Sequence, residues 1–400
     1  MNVAVRTAVL GALALGAAGG ARADAAWEFN PTVEAGWLYD DNYRLTPPGT
    51  EIEVSGPMVD AALDMHTQTQ RSEFSFVPRV RATYFPDESD LDSQDYFATI
   101  DWSHQGQRVN TRIRADGASQ DIVNSEQPDT IIDSGLGVVD IGDSGRVLVK
   151  NRRVRGTIQP EMDFEISPRK QIELGANYTD VSYDDQIPGA QVDFRLAEVS
   201  AGLVAKLNER TTLTTRVTGS QFDIDTQGTT DAYGAELEWG TRTAAETRTF
   251  LRVGAQAVNL ASGENVTAWV AGGGVNWVAG RNEIFADVAR SVAPSSAGAV
   301  ITRDQLRLRL ERAMTPRLSL VGGLRGIHDD RVDDTEVFVA RSYATADLGL
   351  QWRWQEEFSL RVAADYTWQK YQGASDDSNS SGAMVTILYQ PLQRLRPRND

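Results

Sequence analysis

The sequence contains no cysteine in 400 residues, and this absence excludes several classes of protein. Disulfide-stabilised scaffolds, thiol-dependent enzymes and thiolate metal sites all require cysteine. Histidine is also scarce, because only His66, His104 and His328 are present to act as a catalytic base. Acidic residues outnumber basic ones, which gives a formal charge of −17. Since nucleic acid binding needs a basic surface, this charge argues against a nucleic acid partner.

The sequence also lacks an apolar run long enough for a helical membrane span. The apolar stretch at residues 8–18 follows Arg6 and precedes the small-x-small sequence Ala21-Arg22-Ala23, which is typical of a secretory signal. It is shorter than the roughly 20 residues of a helical membrane span. We therefore predict that residues 1–23 form a signal peptide for Sec-type export and that the mature chain begins near Asp24. No later segment is long and apolar enough for a helical span, so only a closed β-barrel would place this chain in a membrane.

A two-residue alternation of apolar and charged side chains is the dominant pattern. Leu306, Leu308 and Leu310 alternate with Arg307 and Arg309, as expected for a β-strand with two different faces. Similar segments recur along the chain. A soluble sandwich would turn the leucines toward a core, whereas a transmembrane barrel would turn them toward lipid and the arginines toward a wet lumen.

The connections between these segments favour the barrel. Short turns alternate with longer, polar and acidic connections, among them residues 223–231 and 328–338. Outer-membrane barrels have short periplasmic turns and long extracellular loops, and an even number of strands. We predict an all-β, antiparallel, up-and-down transmembrane barrel of about 18 strands, with about 16 left open, formed by residues 24–400 as one domain.

The connection at residues 119–150 is too long for an ordinary loop. Apolar residues such as Ile131 and Val138 give it material with which to pack inside the barrel. A lumen constriction and a disordered surface loop are both open at this point. After the last alternating segment, residues 393–400 form a basic C-terminal tail.

Several motifs resemble a known family. They are Arg152-Arg153 entering a strand, Tyr178–Val181 with Tyr183 and Asp185 at a strand end, Leu207–Arg210 in a turn, and Asp40-Asp41-Asn42 after the first strand. In these features the chain resembles the outer-membrane β-barrel porins associated with exopolysaccharide and exosortase gene clusters. The resemblance implies a channel-forming or polysaccharide-associated barrel. Members of that family end on an aromatic residue read by the assembly machinery. Here either Tyr389 or Leu392 would close that signal, because the basic tail follows.

Sequence features that would support an enzyme or a metal site are weak. The Gly142–Gly145 sequence GDSG is followed by Arg146 rather than by a protease pattern, and no spacing proposes a base for its serine. The acidic runs at residues 87–92 and 376–377 lack the spacing of an EF-hand. We predict no enzymatic activity, no cofactor and no metal.

The polar register supplies the candidate site residues. Opposed charges would stabilise the wall by pairing across strands, whereas unpaired arginines would attract anionic solutes; both roles are open. Arg325 on the next strand is expected beside Arg307 and Arg309. The predicted pore-lining residues are Arg79, Arg81, Arg112, Arg114, Glu161, Asp163, Glu165, Glu236, Glu238, Arg307, Arg309, Arg325, Asp347, Arg353, Arg361 and Asp365.

The sequence therefore predicts a porin-like channel in the outer membrane, which passes small hydrophilic solutes or an exported polysaccharide. A closed structural or docking barrel of an envelope secretion complex is the alternative. The expected partners are outer-membrane lipid and lipopolysaccharide, the outer-membrane assembly machinery, and polysaccharide or export-complex proteins.

Overall fold

The chain folds into one antiparallel sheet of 18 strands that closes on itself. The computed structural model describes residues 27–126, 150–187, 191–226, 228–244, 246–332 and 339–391. Each strand pairs with its neighbours in chain order, and the first strand closes the barrel by pairing with the last, from Val33 opposite Tyr389 to Asp40 opposite Gly382. The predicted all-β barrel and its strand number are confirmed. The predicted signal peptide at residues 1–23 and the predicted tail at residues 393–400 lie outside the described residues.

The strands are 12 to 17 residues long. In chain order they are β1 Trp27–Asp40, β2 Val54–Gln68, β3 Ser72–Thr83, β4 Ser93–Gln105, β5 Val109–Asp121, β6 Arg152–Ser167, β7 Lys170–Tyr183, β8 Phe194–Lys206, β9 Thr211–Ile224, β10 Gly228–Ala244, β11 Thr247–Asn259, β12 Asn265–Ala279, β13 Asn282–Ser295, β14 Ala299–Ala313, β15 Leu318–Arg331, β16 Arg341–Arg353, β17 Phe358–Tyr371 and β18 Ser378–Tyr389. Helical structure in the described part is limited to one 3₁₀ turn, Ser89–Leu91, and one short helix, α1, Ile122–Glu126. None of the described helices has the length and apolar character needed to cross a bilayer.

The outer face of the barrel is apolar because successive side chains of each strand point to opposite sides. Val199, Leu251 and Leu348 are more than half exposed, as expected for residues that contact lipid in place of a protein core. Aromatic residues of the same outward register lie near both ends of the strands. Near the termini and short turns they include Trp27, Phe29, Phe164, Trp239 and Trp352, and near the opposite end they include Tyr39, Tyr84, Tyr96, Tyr178, Tyr233 and Trp269. These two belts match the two interfaces of a bilayer.

The two ends of the barrel differ in their connections. On the side of the termini, each connection is at most four residues long, which is typical of periplasmic turns. On the other side, residues 41–53, 84–92 and 184–193 form longer connections. We call this the outer end and the side of the termini the inner end.

The prediction of long loops at residues 223–231 and 328–338 is wrong for most of the described residues in these two ranges. β9 extends to Ile224 and β10 begins at Gly228, so residues 223–231 are mostly strand. Likewise, β15 continues through residues 328–331, and residues 333–338 lie outside the described part. The cause is that these strand ends project beyond the lipid, so their outward positions carry polar side chains such as Asp223, His328 and Asp330 instead of the apolar residues of the lipid face.

The predicted loop at residues 119–150 also has different bounds. Its first three residues complete β5, and α1 follows directly at Ile122–Glu126. Residues 127–149, including the apolar residues Ile131 and Val138, lie outside the described residues.

Candidate functional site: the lumen of the barrel

The predicted pore-lining residues all occupy the register opposite the apolar outer face. Arg307 and Arg309 alternate with the exposed Leu306 and Leu308 in β14, and Arg307 stands directly opposite Arg325 of β15. Arg353 alternates with the exposed Trp352 in β16. The inner wall is therefore densely charged.

Asp60 anchors a buried charge cluster on the inner wall. Its Oδ2 atom lies 2.6 Å from Nη2 of Arg79 and 2.8 Å from Nε of Arg81. All three side chains are less than a tenth exposed. Two arginines predicted to line the pore thus share one carboxylate, and their charge is largely committed to the wall.

Arg307 and Arg361 are likewise paired, with partners that the sequence pattern did not identify. Nε of Arg307 lies 2.8 Å from Oδ1 of Asp287 on β13, and Nη1 of Arg361 lies 2.9 Å from Oε2 of Glu34 on β1. Asp287 and Glu34 both occupy polar positions of alternating segments, and this is the only sequence feature that could have identified them as residues of the inner wall. Which arginine each acid would meet depends on strand register, which alternation alone does not give.

Toward the inner end, the ion pairs are more exposed and several acids are unpaired. Arg112 pairs with Asp101 at 2.5 Å, and Arg114 pairs with Asp116 at 2.9 Å. By contrast, five predicted pore-lining acids form no ion pair among the described residues: Glu161, Asp163, Glu165, Glu236 and Glu238. The inner half of the lumen therefore carries negative charge in contact with water.

At the outer end, the lumen is filled by apolar side chains, which we call the outer cluster. Its central members include Phe85, Val181, Phe194, Phe222, Ile224, Val258, Val300, Ile327 and Tyr343. These residues come from connections and strand ends around the barrel, and most are less than a tenth exposed. A packed apolar core of this kind excludes water, so it narrows the lumen at this level.

Helix α1 contributes to this closure from inside the barrel. Ile122 and Val123 are almost completely buried in the outer cluster, and Asn124 donates hydrogen bonds to Asp95 Oδ2 at 2.6 Å and to Ser93 Oγ at 3.2 Å. Glu126 reaches Arg341 of β16, with 3.4 Å between Oε2 and Nη1 and both side chains at most 2% exposed. The residues that follow β5 thus fold into the lumen and form part of a constriction.

The connection between β1 and β2 folds inward against α1. Asn42 organises this connection, because its Nδ2 donates to the carbonyl oxygens of Thr46 and Asn379, each at 2.9 Å. The Tyr43 hydroxyl donates to Oδ1 of Asn124 at 3.0 Å. Burial raises the pKa of Tyr43 well above its ordinary value, so the phenol stays a neutral donor.

A cavity of about 110 Å³ lies directly beneath this closure. It is lined by α1, by β1 to β3 and by β16 to β18, and its polar lining includes Asp40, Arg81 and Asn124. Asp347 and Asp365, both predicted pore residues, line it as neighbours across β16 and β17. The lumen therefore contains polar space below an apolar constriction.

Among the described residues, the histidines and acids are not arranged as a catalytic triad or a metal site. His328 Nδ1 lies 3.0 Å from Ser342 Oγ on the outer surface, yet no carboxylate in the described structure hydrogen-bonds this ring to orient it, as a catalytic triad requires. The GDSG sequence lies outside the described residues. In the described ranges, no group of three or more His, Cys, Asp or Glu is arranged to hold a metal ion.

The closed barrel, the apolar outer band and the two aromatic belts together form an outer-membrane architecture. No protein-family model and no curated protein matches the sequence. Among solved structures, the chain is similar to the outer membrane protein OpdK from Pseudomonas aeruginosa, at 11% identity and a TM-score of 0.46, over 91% of this chain and 99% of that one. It is also similar to OccK2 (OpdF) from Pseudomonas aeruginosa, solved with glucuronate, at 12% identity and a TM-score of 0.47, over 92% and 99% of the two chains. Acinetobacter baumannii OccAB1 matches at 10% identity and a TM-score of 0.45, over 92% and 97%. Likeness at this level assigns neither a family nor a solute.

Proposed function

We propose that this protein is an outer-membrane channel for small hydrophilic solutes. The observation that carries the proposal is the polar inner wall, on which charged side chains such as Glu161 and Glu165 remain exposed to water. A barrel whose only role was structural would gain more stability from an apolar or fully paired interior, because an unpaired charge is costly in a dry environment. Exposed charges instead fit a hydrated path.

The charge distribution favours cations over anions. Arg79, Arg81, Arg307 and Arg361 are bound to carboxylates. In the described lumen, the predicted pore-lining Arg353 forms no ion pair, but neither do five predicted pore-lining acids, so the unpaired charges are mostly negative. Fixed negative charges in a wet pore raise the local concentration of cations, and salt screens the effect. Of the two roles left open for Arg307 and Arg309, pairing within the wall fits better, because Arg307 pairs with Asp287 and Arg309 lies 3.5 Å from Glu311.

Passage of an exported polysaccharide, and contacts with export-complex proteins, remain the more specific proposals. They rest on the family resemblance of the strand-end motifs. The outer cluster bears on them directly, because a polymer would need the apolar side chains around Phe222 and Ile327 to separate widely. A small solute requires a smaller opening, so the geometry supports passage of a small solute better than passage of a polymer.

A closed docking barrel is the second candidate function. The packed outer cluster favours it, because a permanently sealed outer end would prevent passage. In that case the inner end and the outer connections would present binding surfaces for envelope proteins. Contacts with lipopolysaccharide and with the assembly machinery are expected for either function.

Recordings from purified protein in planar bilayers test the proposal. We expect discrete conductance steps and, under a salt gradient, a reversal potential that indicates cation preference and weakens as salt rises. The double variant E236Q/E238Q should reduce this preference. A matched control, D180N/D223N, removes two acids of the outward register that pair with Arg195, and it should leave the preference unchanged. Inserted protein without conductance steps would instead favour the docking barrel.

A further inference from the structure

The barrel wall is incomplete between β12 and β13 at the outer end. β12 pairs with β11 along its length, up to Asn265 opposite Asn259. Its pairing with β13 covers only Ala271–Ala279, with Ala271 opposite Arg290 as the last pair. The outer section of β12, residues 265–270, therefore has a strand neighbour on one side only.

The wall is incomplete because the outer part of the β13–β14 hairpin bends into the lumen. β13 and β14 remain paired to the tip, where Ser295 stands opposite Ala299. The tip then contacts the segment that precedes β8, although β8 is not next to β13 or β14 in the sheet. In this contact, the backbone N–H of Val192 donates a hydrogen bond to the carbonyl oxygen of Ser296 at 2.8 Å. Gly298 allows the tight turn because its φ is +85°.

Two valines show that this inward position conflicts with the strand register. Val292 of β13 and Val300 of β14 belong to the outward register, like the exposed Val288 and Leu306 of the same strands. Nevertheless, Val300 is buried in the outer cluster and Val292 packs against that cluster. Side chains patterned for lipid thus pack inside the barrel, which happens only because the hairpin has left the wall.

The free edge of β12 is placed and patterned to receive the hairpin. Trp269, in the outer aromatic belt, is 57% exposed, so the unpaired backbone begins at the level of the membrane interface, where an open strand edge is unfavourable. If the pairing continued in the register of Ala271 and Arg290, Trp269 would lie opposite Val292 on the lipid face. One residue further, Ala268 would lie opposite Ala293 on the lumen face. Both new pairs match the alternation of a barrel wall.

We propose that residues 291–302, the outer part of the β13–β14 hairpin, are the gate of the channel. In the closed state they lie over the lumen against Val192 and complete the outer cluster. In the open state they pair with residues 265–270 of β12, complete the wall and withdraw Val300 from the lumen. This inference rests on the proposed channel function.

Because the chain has no cysteine, engineered disulfides test the gate without background thiols. The variant A268C/A293C joins two residues that face each other only in the open state, at a separation that suits a disulfide in paired strands. The control V275C/A286C joins residues that are already opposite each other. We expect both disulfides to form in reconstituted protein under mild oxidation. Only the A268C/A293C bond should raise the single-channel conductance, by several-fold and reversibly with a reductant.

Two outcomes would overturn the gate. The first is that the control disulfide forms fully but the A268C/A293C disulfide does not form. Disulfide formation is measured by gel mobility and by mass, so this outcome can be read whether or not the barrel conducts. The other is a complete A268C/A293C bond that leaves the conductance of an active channel unchanged. If the bond forms and neither the oxidised nor the reduced protein conducts, the channel function itself is refuted, and the gate with it.

Discussion

At the scale of the residue, the face that a side chain occupies decides what a substitution costs. Val199 and Ser200 are adjacent in β8, yet Val199 is 63% exposed on the lipid face and Ser200 faces the lumen beside Glu198. Val199→Arg should destabilise the inserted barrel by roughly 2 to 4 kcal/mol near the bilayer centre. Ser200→Arg introduces the same side chain into the charged lumen and should cost much less. Urea unfolding from lipid vesicles measures both, and equal costs would contradict the assigned faces.

Burial similarly separates two aspartates that each pair with arginine. Asp60→Asn leaves Arg79 and Arg81 in a buried site without their shared carboxylate, so we expect a loss of about 3 to 5 kcal/mol. Asp101→Asn affects Arg112, whose side chain is half exposed, and should cost about 1 kcal/mol or less. The same unfolding assay compares them. A small loss at Asp60 would mean that water reaches this part of the wall.

The sequence predicted the face of each pore residue but not its partner. Alternation placed Arg307 on the inner side, since a period of two fixes orientation, and the structure places Asp287 on the same face. Their pairing depends on the register between β13 and β14, which is set by the turn and by packing along both strands. For this reason the sequence left open whether Arg307 pairs with an acid or attracts anions, whereas the neighbouring positions of Arg307 and Arg325 were predicted correctly.

At the scale of the element, α1 is a candidate constriction whose hold on the wall can be weakened. Asn124→Ala removes the hydrogen bonds to Asp95 and Ser93, so α1 should leave the lumen more often. We expect a larger or noisier single-channel conductance. Gln159→Ala is the control, because it removes a wall side chain whose one hydrogen bond within the described structure is to Asn177 Oδ1, at 3.5 Å. If the two variants behave alike, α1 does not limit the current.

Strands were predictable from the sequence, whereas α1 and the bend of the β13–β14 hairpin were not. Each strand repeats a local pattern that any window of several residues reveals. The position of α1 depends on contacts such as that of Glu126 with Arg341, which are 215 residues apart in the chain. The bend of the hairpin depends in the same way on Val192, far from it in sequence. Such contacts leave no periodic trace in the sequence.

At the scale of the whole molecule, closure of the sheet should make the protein resistant to detergent. Every strand has two neighbours over most of its length, so unfolding must break the ladder at several places at once. We expect the mature chain in the outer-membrane fraction and a mobility in detergent gels that changes only after boiling. Recovery from the soluble periplasmic fraction would contradict the membrane-spanning barrel.

The pairing of β1 with β18 has a consequence for the order of assembly. Val33 cannot meet Tyr389 until almost the entire chain has been synthesised and exported, so the final contact is also the one with the largest separation in sequence. Contacts of this kind form slowly, because the entropy of closing the loop is lost before the contact stabilises anything. Until then, the lipid-facing side chains are exposed in water with an open strand at each edge. The chain should therefore depend on a periplasmic chaperone to prevent aggregation during transit.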